Sequence, residues 1–151
     1  MTTSLSPHWQ QFYMRLAREV ATGSKDASSK FGAILVRPDK TVASIGFNGF
    51  PRRVADDVAM LTDPAKRAQK YARIVHAECN CLNHSRDVST AGYFLVVSGH
   101  PCDRCALRIA STDIAAVYYC SSPDYESRWA AEVEVSRQIL SEAGIALIRV
   151  D

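Results

Sequence analysis

Two short segments of the sequence contain side chains of the types that bind metal ions or transfer protons. One alanine separates His76 from Glu78, and Cys102 and Cys105 form a Cys-x-x-Cys pair directly after Pro101. Thiolate and imidazole are ligands that zinc prefers, and three such ligands leave one tetrahedral position for water. An open position is typical of catalytic zinc. The sequence therefore predicts one catalytic Zn²⁺ per chain, held by His76, Cys102 and Cys105.

The cysteine pair is expected at the start of a helix, with Pro101 in the first turn, where a backbone N–H has no helical partner anyway. A three-residue spacing then points both sulfurs the same way. The positive partial charge at a helix N-terminus lowers thiol pKa values and favours thiolate. The predicted local structure thus suits the predicted metal site.

Glu78 is predicted to lie outside the metal coordination but within reach of the water. Zinc activates water near neutral pH, and a nearby carboxylate can carry the proton to a ring nitrogen and a leaving amine. His-x-Glu followed by Pro-Cys-x-x-Cys resembles the signature of the zinc nucleobase deaminases. The predicted reaction comes from that resemblance and not from the spacing alone.

Three other interpretations of these residues compete with this hypothesis. A lone histidine on a mostly apolar helix is usually a core or surface residue, and a lone Cys-x-x-Cys can be redox-active. Alternatively, Cys79 lies three residues after His76, so both would share a helix face. His76, Cys79, Cys102 and Cys105 would then form a closed structural zinc site, with Glu78 solvated. Cys81 and Cys120 sit beside apolar residues and are predicted to be packing thiols.

The length, composition and charge of the chain limit the classes of protein to which these residues can belong. The 151 residues are enough for one domain, predicted over 1–151, that buries about 68–70% of its unfolded surface. A composition of 47% hydrophobic and 23% charged residues excludes disorder, collagen and coiled coil. A formal charge of +2 argues against an electrostatic nucleic-acid or membrane binder.

The cellular compartment is predicted from the N-terminal segment and the cysteines. Residues 1–10 lack a basic region followed by an apolar one, so a secretory signal is not expected. No apolar stretch approaches the roughly 20 residues of a membrane helix. Five cysteines, four of them in two close pairs, suit reduced metal or catalytic thiols better than disulfides. We therefore expect a cytoplasmic protein.

Helices and strands alternate along the chain after an initial hairpin. The predicted elements are a helix capped by Ser6 and ended by Gly23, hairpin strands at 31–36 and 41–47, a polar segment with short helical pieces at 52–73, a helix at 75–83, a strand at 93–97, a helix at 101–110, a strand at 116–120, a helix from Trp129 that Gly144 ends, and a strand at 145–150. This order predicts an α/β sandwich with a mixed, mostly buried sheet.

Several segments resemble the deoxycytidylate (dCMP) deaminases of the zinc-dependent cytidine deaminase superfamily. They are 25–36 (KDASSKFGAILV), 46–51 (GFNGFP), 75–80 (VHAECN) and 140–145 (LSEAGI). The resemblance implies a three-layer α/β/α sandwich with about five strands and one catalytic zinc. It also implies hydrolysis of dCMP to dUMP and ammonia by a homo-oligomer, a hexamer or a dimer, with dCTP and dTTP as effectors.

The resemblance also suggests where the substrate is held. It implies contacts at Asn48 and Ala77, although Asn48 also suits a turn in a left-handed conformation. Lys30, Arg52 and Arg53 are candidates for the 5′-phosphate, or for a solvated basic surface. Arg53 departs from the family pattern, where glycine is common. His100 either contacts the pyrimidine or caps the neighbouring helix.

Two other functions fit the same motifs. The zinc site could act on a nucleoside, a free base or tRNA adenosine, although the near-neutral charge argues against tRNA. A non-catalytic, zinc-stabilised module is the third hypothesis, with Cys79 as its fourth ligand.

Overall fold

The computed structural model describes residues 4–151, so the first three residues of the N-terminal segment lie outside the described residues. One sheet of five strands runs through the middle of the described chain. Its strands are β1 (Gly32–Val36), β2 (Val42–Phe47), β3 (Phe94–Val97), β4 (Ala116–Tyr119) and β5 (Ala146–Arg149). They are ordered β2-β1-β3-β4-β5 across the sheet. β1 pairs antiparallel with β2 and β3, whereas β3, β4 and β5 are parallel, so the predicted mixed sheet is confirmed.

Seven α-helices and one short 3-10 helix connect and cover these strands in the described residues. They are α1 (Pro7–Ala21), α2 (Val58–Thr62), a 3-10 helix (Pro64–Lys66), α3 (Arg67–Tyr71), α4 (Ala77–His84), α5 (Asp103–Ala110), α6 (Pro123–Arg128) and α7 (Ala130–Glu142). None of the helices within residues 4–151 combines the length and apolar character needed to cross a membrane.

Two hydrophobic clusters show that helices cover both faces of the sheet. Alternate residues of a strand point to opposite faces, and in β1 Ile34 packs in one cluster while Leu35 packs in the other. The first cluster includes Tyr13, Met14 and Ala17 of α1. The second is formed with residues of α4, α5 and α7. The predicted three-layer α/β/α arrangement is therefore confirmed.

The first helix begins as its sequence predicts. The Ser6 side chain accepts a hydrogen bond from the backbone N–H of Trp9, and Pro7 occupies the first helical position. Both features suit a helix start, because the first N–H groups have no intrahelical partner. Trp9 and Phe12 lie half-buried beside the α1 cluster. The apolar spacing of this segment thus gives a helix that covers one face of the sheet.

A glycine in β2 allows helix α4 to lie directly on the sheet. A Cβ atom added to Gly46 would lie 2.3 Å from the backbone nitrogen of Cys81 and 2.8 Å from the carbonyl oxygen of Ala77. Real Cβ atoms do not approach backbone atoms so closely, so only glycine fits here. This contact fixes the helix whose first turn contains Glu78.

The structure corrects the sequence predictions at two helix starts. Helix α5 begins at Asp103, with Cys102 as its N-cap, so Pro101 precedes the helix and does not occupy its first turn. The segment before Trp129 forms the separate helix α6, capped by Ser122 with Pro123 at its start. Trp129 itself lies between α6 and α7 and remains 38% exposed, so it is not part of a buried helix face.

Candidate active site and metal centre

The start of α4 is held in place by backbone contacts on both sides of His76. Gly49 and Val75 form an isolated antiparallel bridge, with N···O distances of 3.0 Å and 2.8 Å. Asn80 Nδ2 also donates a hydrogen bond to the carbonyl oxygen of Phe47, at 2.8 Å. His76 is the N-cap of α4 and has an extended backbone conformation. Its imidazole therefore extends from a well-anchored helix start.

The start of α5 supplies the two thiols. The sulfur of Cys102, the N-cap residue, accepts a hydrogen bond from the backbone N–H of Cys105 at 3.4 Å. A side chain that caps a helix satisfies one of the unpaired N–H groups there. The Cys-x-x-Cys motif thus works as a cap followed by the first turn, which brings both sulfurs to the same end of the helix.

Among the described residues, His76, Cys102 and Cys105 form a group whose donor atoms all lie within 4.8 Å of one another. The Nδ1 atom of His76 is 3.4 Å from the sulfur of Cys102 and 3.3 Å from that of Cys105. Zinc bonds of normal length separate tetrahedral nitrogen and sulfur ligands by roughly 3.5 Å. The donor types and their separations therefore fit a zinc ion.

The protonation of this group also suits a cation. A hydrogen bond from the side chain of Cys105 and the neighbouring His76 lower the pKa of Cys102 to about 4, against the effect of burial. The hydrogen bond to Cys102 raises the pKa of His76 to about 9. The pKa of Cys105 is raised because its thiol proton is shared with Cys102 and Cys79 in a buried position. These three side chains share protons that a bound metal ion would displace.

Glu78 lies beside the donor group without belonging to it. The side chain is 5% exposed, and the thiol of Cys105 approaches its Oε2 atom at 3.8 Å. Burial raises the pKa of this carboxyl, while His76 opposes the shift. A carboxyl whose pKa is raised by burial holds a proton more readily than a solvated one, which suits a group that accepts and releases protons.

Cys79 is close to the group but outside it. Its sulfur lies 3.8 Å from that of Cys105, yet it is not among the donor atoms that lie within 4.8 Å of one another. Hydrogen bonding to Cys105 lowers its pKa. This geometry favours three ligands over the closed four-ligand interpretation.

The remaining two cysteines pack away from the donor group. Cys81 is fully buried in the core that α4 shares with the sheet, and burial raises its pKa to about 12. The thiol of Cys120 donates to the carbonyl oxygen of Ser98 at 3.3 Å. Both positions suit the packing role predicted from their apolar neighbours.

A cavity of about 330 Å³ opens beside the donor group, and His76, Glu78 and Cys102 line it. Ligand pockets commonly have volumes of about 300–1,000 Å³. Phe31 and Tyr125 form part of its wall, with ring centroids 6.1 Å apart. Burial, reinforced by the charge of Glu78, raises the pKa of Tyr125. The cavity thus combines an aromatic wall with the donor group.

Asn48 lines the cavity but also holds its wall together. Its side chain is 4% exposed. The Oδ1 atom accepts the N–H of Phe31, and Nδ2 donates to the carbonyl oxygen of Ser29, both at 2.8 Å. Among the described non-glycine residues only Lys40 has a positive φ, so the left-handed interpretation of Asn48 is wrong. One amide hydrogen remains for another acceptor, since Nδ2 has two.

The other predicted contact residues are not among the residues that line the cavity. Ala77 is fully buried in the core, and its side chain is not among those lining the cavity. Only its backbone N–H, at the first position of α4, is suited to a ligand. Lys30, Arg52 and Arg53 are exposed and do not line the cavity, and the Lys30 ammonium donates to the carbonyl oxygen of Ser24.

His100 does line the cavity, as one of its two interpretations required. Its side chain is 3% exposed, and Nδ1 donates to the carbonyl oxygen of Pro101 at 2.8 Å. Burial lowers its pKa, which favours the neutral imidazole. It does not cap α5, because Cys102 occupies that position.

Sequence reasoning missed several residues of the cavity. Asp26, Ser28, Lys70 and Tyr125 line it, yet none was a candidate. Lys70 lies in a charge-rich segment without hydrophobic periodicity, so no local pattern distinguishes it from a solvated lysine. Asp26 and Ser28 fall within the segment 25–36 that resembles the dCMP deaminases, which is the signal that would have found them.

Comparison with known proteins supplies the context for this geometry. The family model for the cytidine and deoxycytidylate deaminase zinc-binding region matches residues 7–121. An uncharacterized deaminase in the luxG 3′ region of Aliivibrio fischeri is 35% identical, over 91% of this chain and 90% of that protein. Human deoxycytidylate deaminase is 30% identical, over 91% of this chain and 76% of that protein.

A solved structure supports the fold. The dCMP deaminase of cyanophage S-TIM5, in complex with dCMP and dUMP, superposes with a TM-score of 0.76 at 23% identity. The alignment covers 97% of this chain and 99% of the phage chain.

Proposed function

This chain belongs to the cytidine and deoxycytidylate deaminase family, and we propose that it is a single-domain, zinc-dependent hydrolase that converts dCMP to dUMP and ammonia. One observation carries the proposal. A buried carboxylate, Glu78, adjoins a His-Cys-Cys donor group on the wall of one cavity of ligand size. The names of the relatives support dCMP as the substrate.

His76 Nδ1 and the sulfurs of Cys102 and Cys105 hold the zinc ion in this proposal. When bound, zinc acts as a Lewis acid that lowers the pKa of water to near neutral. Cys79 stays outside the donor group, so three residues of this chain would hold the ion. Phe31 and Tyr125 enclose the cytosine ring, and the remaining amide hydrogen of Asn48 and the N–H of Ala77 are the proposed substrate contacts.

The proposed reaction is a hydrolysis at C4 of the cytosine ring. The oxygen of water bonds to C4, the exocyclic C4–N bond breaks, and the amino group leaves as ammonia. Glu78 takes one proton from the attacking water and delivers it to N3, then takes the second from the new hydroxyl on C4 and delivers it to the leaving amino group. Its burial keeps bulk water from competing for these protons. General acid–base catalysis by one positioned side chain commonly contributes about 10²–10⁴-fold.

The family resemblance also motivates two proposals about the assembled enzyme. We infer a homo-oligomer, either hexamer or dimer, and control by dCTP and dTTP. Sedimentation of the purified protein tests the assembly, and turnover of dCMP with and without each nucleotide tests the control. A monomer at all concentrations, or activity that neither nucleotide changes, would remove the corresponding proposal.

A substrate panel tests the proposed function directly. The zinc-loaded protein is incubated with dCMP, deoxycytidine, cytosine and an adenosine-containing tRNA, and ammonia release and ultraviolet absorbance are followed. We expect dCMP to be the best substrate by catalytic efficiency. A folded, zinc-loaded protein that releases no ammonia from dCMP would contradict the proposal and favour either another substrate or a non-catalytic module.

A further inference from the structure

The charges that line the cavity are unequally distributed. Asp26, Glu78, Asp103 and Glu132 are acidic, whereas Lys70 is the single lysine or arginine among the cavity-lining residues of the described chain. A phosphate group entering a partly desolvated cavity needs opposite charge or hydrogen-bond donors. The position of Lys70 is therefore informative about how a nucleotide is held.

The ammonium of Lys70 is buried and fixed. The residue is 3% exposed, and Nζ donates to Asp26 Oδ1 at 3.1 Å and to Ser28 Oγ at 3.2 Å. An ammonium has three hydrogens, so one remains for a further acceptor. Because Ser28 Oγ accepts from Lys70, its own hydroxyl hydrogen is also available to an acceptor.

Asp26 keeps this arrangement rigid. Its Oδ1 atom also accepts the backbone N–H groups of Ser28, at 2.8 Å, and of Ser29, at 3.3 Å. The carboxylate thus ties the loop before β1 to α3, and three donors share its charge. The same loop is held by Asn48, through the carbonyl oxygen of Ser29. The hydroxyl of Ser28 and the ammonium of Lys70 are therefore positioned before any ligand binds.

We propose that Lys70 and the hydroxyl of Ser28 recognise the 5′-phosphate of the substrate, with Asp26 positioning both. The inference rests on the proposed function and assigns its phosphate end. It replaces the sequence-based candidates Lys30, Arg52 and Arg53, which lie outside the cavity lining. Specificity for a nucleotide over a nucleoside then depends on a buried lysine and not on the exposed basic surface.

Binding of the product tests this assignment without turnover. Calorimetry with the zinc-loaded protein compares dUMP with deoxyuridine, and kinetics compare dCMP with deoxycytidine. Hydrogen bonds to charged groups are worth a change of about 10–150-fold each. We expect Lys70→Met combined with Asp26→Asn to weaken dUMP binding by about that factor and to leave deoxyuridine binding unchanged.

Three further variants keep the test decisive. The double substitution avoids leaving a buried carboxylate unpaired. Ser28→Ala retains the ion pair and should weaken the binding of dUMP but not of deoxyuridine. This variant keeps the test possible if the double variant does not fold. Lys66→Met, four residues before Lys70 and outside the cavity lining, is the matched control and should behave like wild type. Lys70→Arg should retain most of the preference for dUMP.

The outcomes separate this inference from the proposed function. A wild-type protein that does not deaminate dCMP refutes the function. A wild type that prefers dCMP, combined with equal losses for dCMP and deoxycytidine in the Lys70 and Ser28 variants, overturns only the phosphate assignment. The assignment is also overturned if Lys30→Met, Arg52→Met or Arg53→Met removes the preference for dUMP while the Lys70 and Ser28 variants retain it.

Discussion

At the scale of single residues, the site depends on small differences in position around one imidazole. The donor atoms of His76, Cys102 and Cys105 all lie within 4.8 Å of one another. Glu78 and Cys79 lie close by but do not belong to this group. Residue types and spacing predicted these three side chains as zinc ligands, because few side chains bind zinc, and the structure brings their donor atoms together. They did not indicate Lys70, whose proposed role depends on long-range contacts with Asp26 and Ser28.

The first prediction concerns Glu78. Glu78→Gln keeps the size of the side chain but removes its ability to carry protons. Because Glu78 serves several transfers in the proposed reaction, we expect a loss of turnover beyond the roughly 10²–10⁴-fold typical of one acid–base group. Zinc content, measured by elemental analysis, should stay at wild-type level. Loss of the metal, or near-normal turnover, would show that the carboxylate has another role.

The second prediction separates three zinc ligands from four. Cys79→Ser should retain one zinc per chain and most activity, because its sulfur lies outside the donor group. Cys102→Ser should lose both, since it removes a ligand. Zinc content and turnover of the two variants are compared in parallel. If Cys79→Ser loses its zinc as Cys102→Ser does, the site is closed and structural.

At the scale of secondary-structure elements, the starts of α4 and α5 create the site. The sequence predicted a helix at 75–83 and another at 101–110, and both exist with shifted starts. The exact start of α5 was not predictable, since a cysteine sulfur is an unusual helix cap and ordinary capping preferences concern serine, threonine, aspartate and asparagine. Helix α6 was also missed, because its Ser122 and Pro123 start signal precedes only six helical residues.

The third prediction tests the contact that positions α4. Gly46→Ala would place a Cβ 2.3 Å from a backbone nitrogen of that helix. Overpacking commonly costs about 1–3 kcal/mol, and we expect at least this loss of unfolding free energy, because backbone atoms cannot rotate away. Zinc affinity should fall as well, since the helix start carries His76. Chemical denaturation and zinc titration measure the two effects.

Gly49→Ala is the matched control for this prediction. A Cβ added to Gly49 meets no atom within 4 Å, and its φ is not positive. Its stability and zinc affinity should stay near those of the wild type. Equal effects of the two substitutions would show that the close approach of α4 to β2 is unimportant.

At the scale of the whole molecule, two cores on opposite faces of one sheet stabilise the described chain. Alternating elements and the family resemblance predicted the three layers. The strand order β2-β1-β3-β4-β5 could not be derived from local patterns, because neighbouring strands such as β1 and β3 are distant in sequence. Neither core includes His76 or Cys102, so much of the packing is independent of the metal donors.

The fourth prediction follows from this independence. Removal of zinc with a chelator should lower the melting temperature, because a ligand that binds only the native state stabilises it by mass action. The far-ultraviolet circular dichroism at 25 °C, in contrast, should be retained. Cys102→Ser is the control, since a chelator should not change its melting temperature. Loss of the helical signal on chelation would indicate a structural metal site.

The backbone bridge between Gly49 and Val75 has a consequence for how this molecule tolerates change. The bridge holds the two ends of the intervening segment together. Insertions near Arg52 and Arg53 would therefore lengthen a loop whose ends stay fixed. Each doubling of a flexible loop costs only about 0.6 kcal/mol in closure entropy. We therefore expect insertions in this segment to leave the start of α4, directly after Val75, in place.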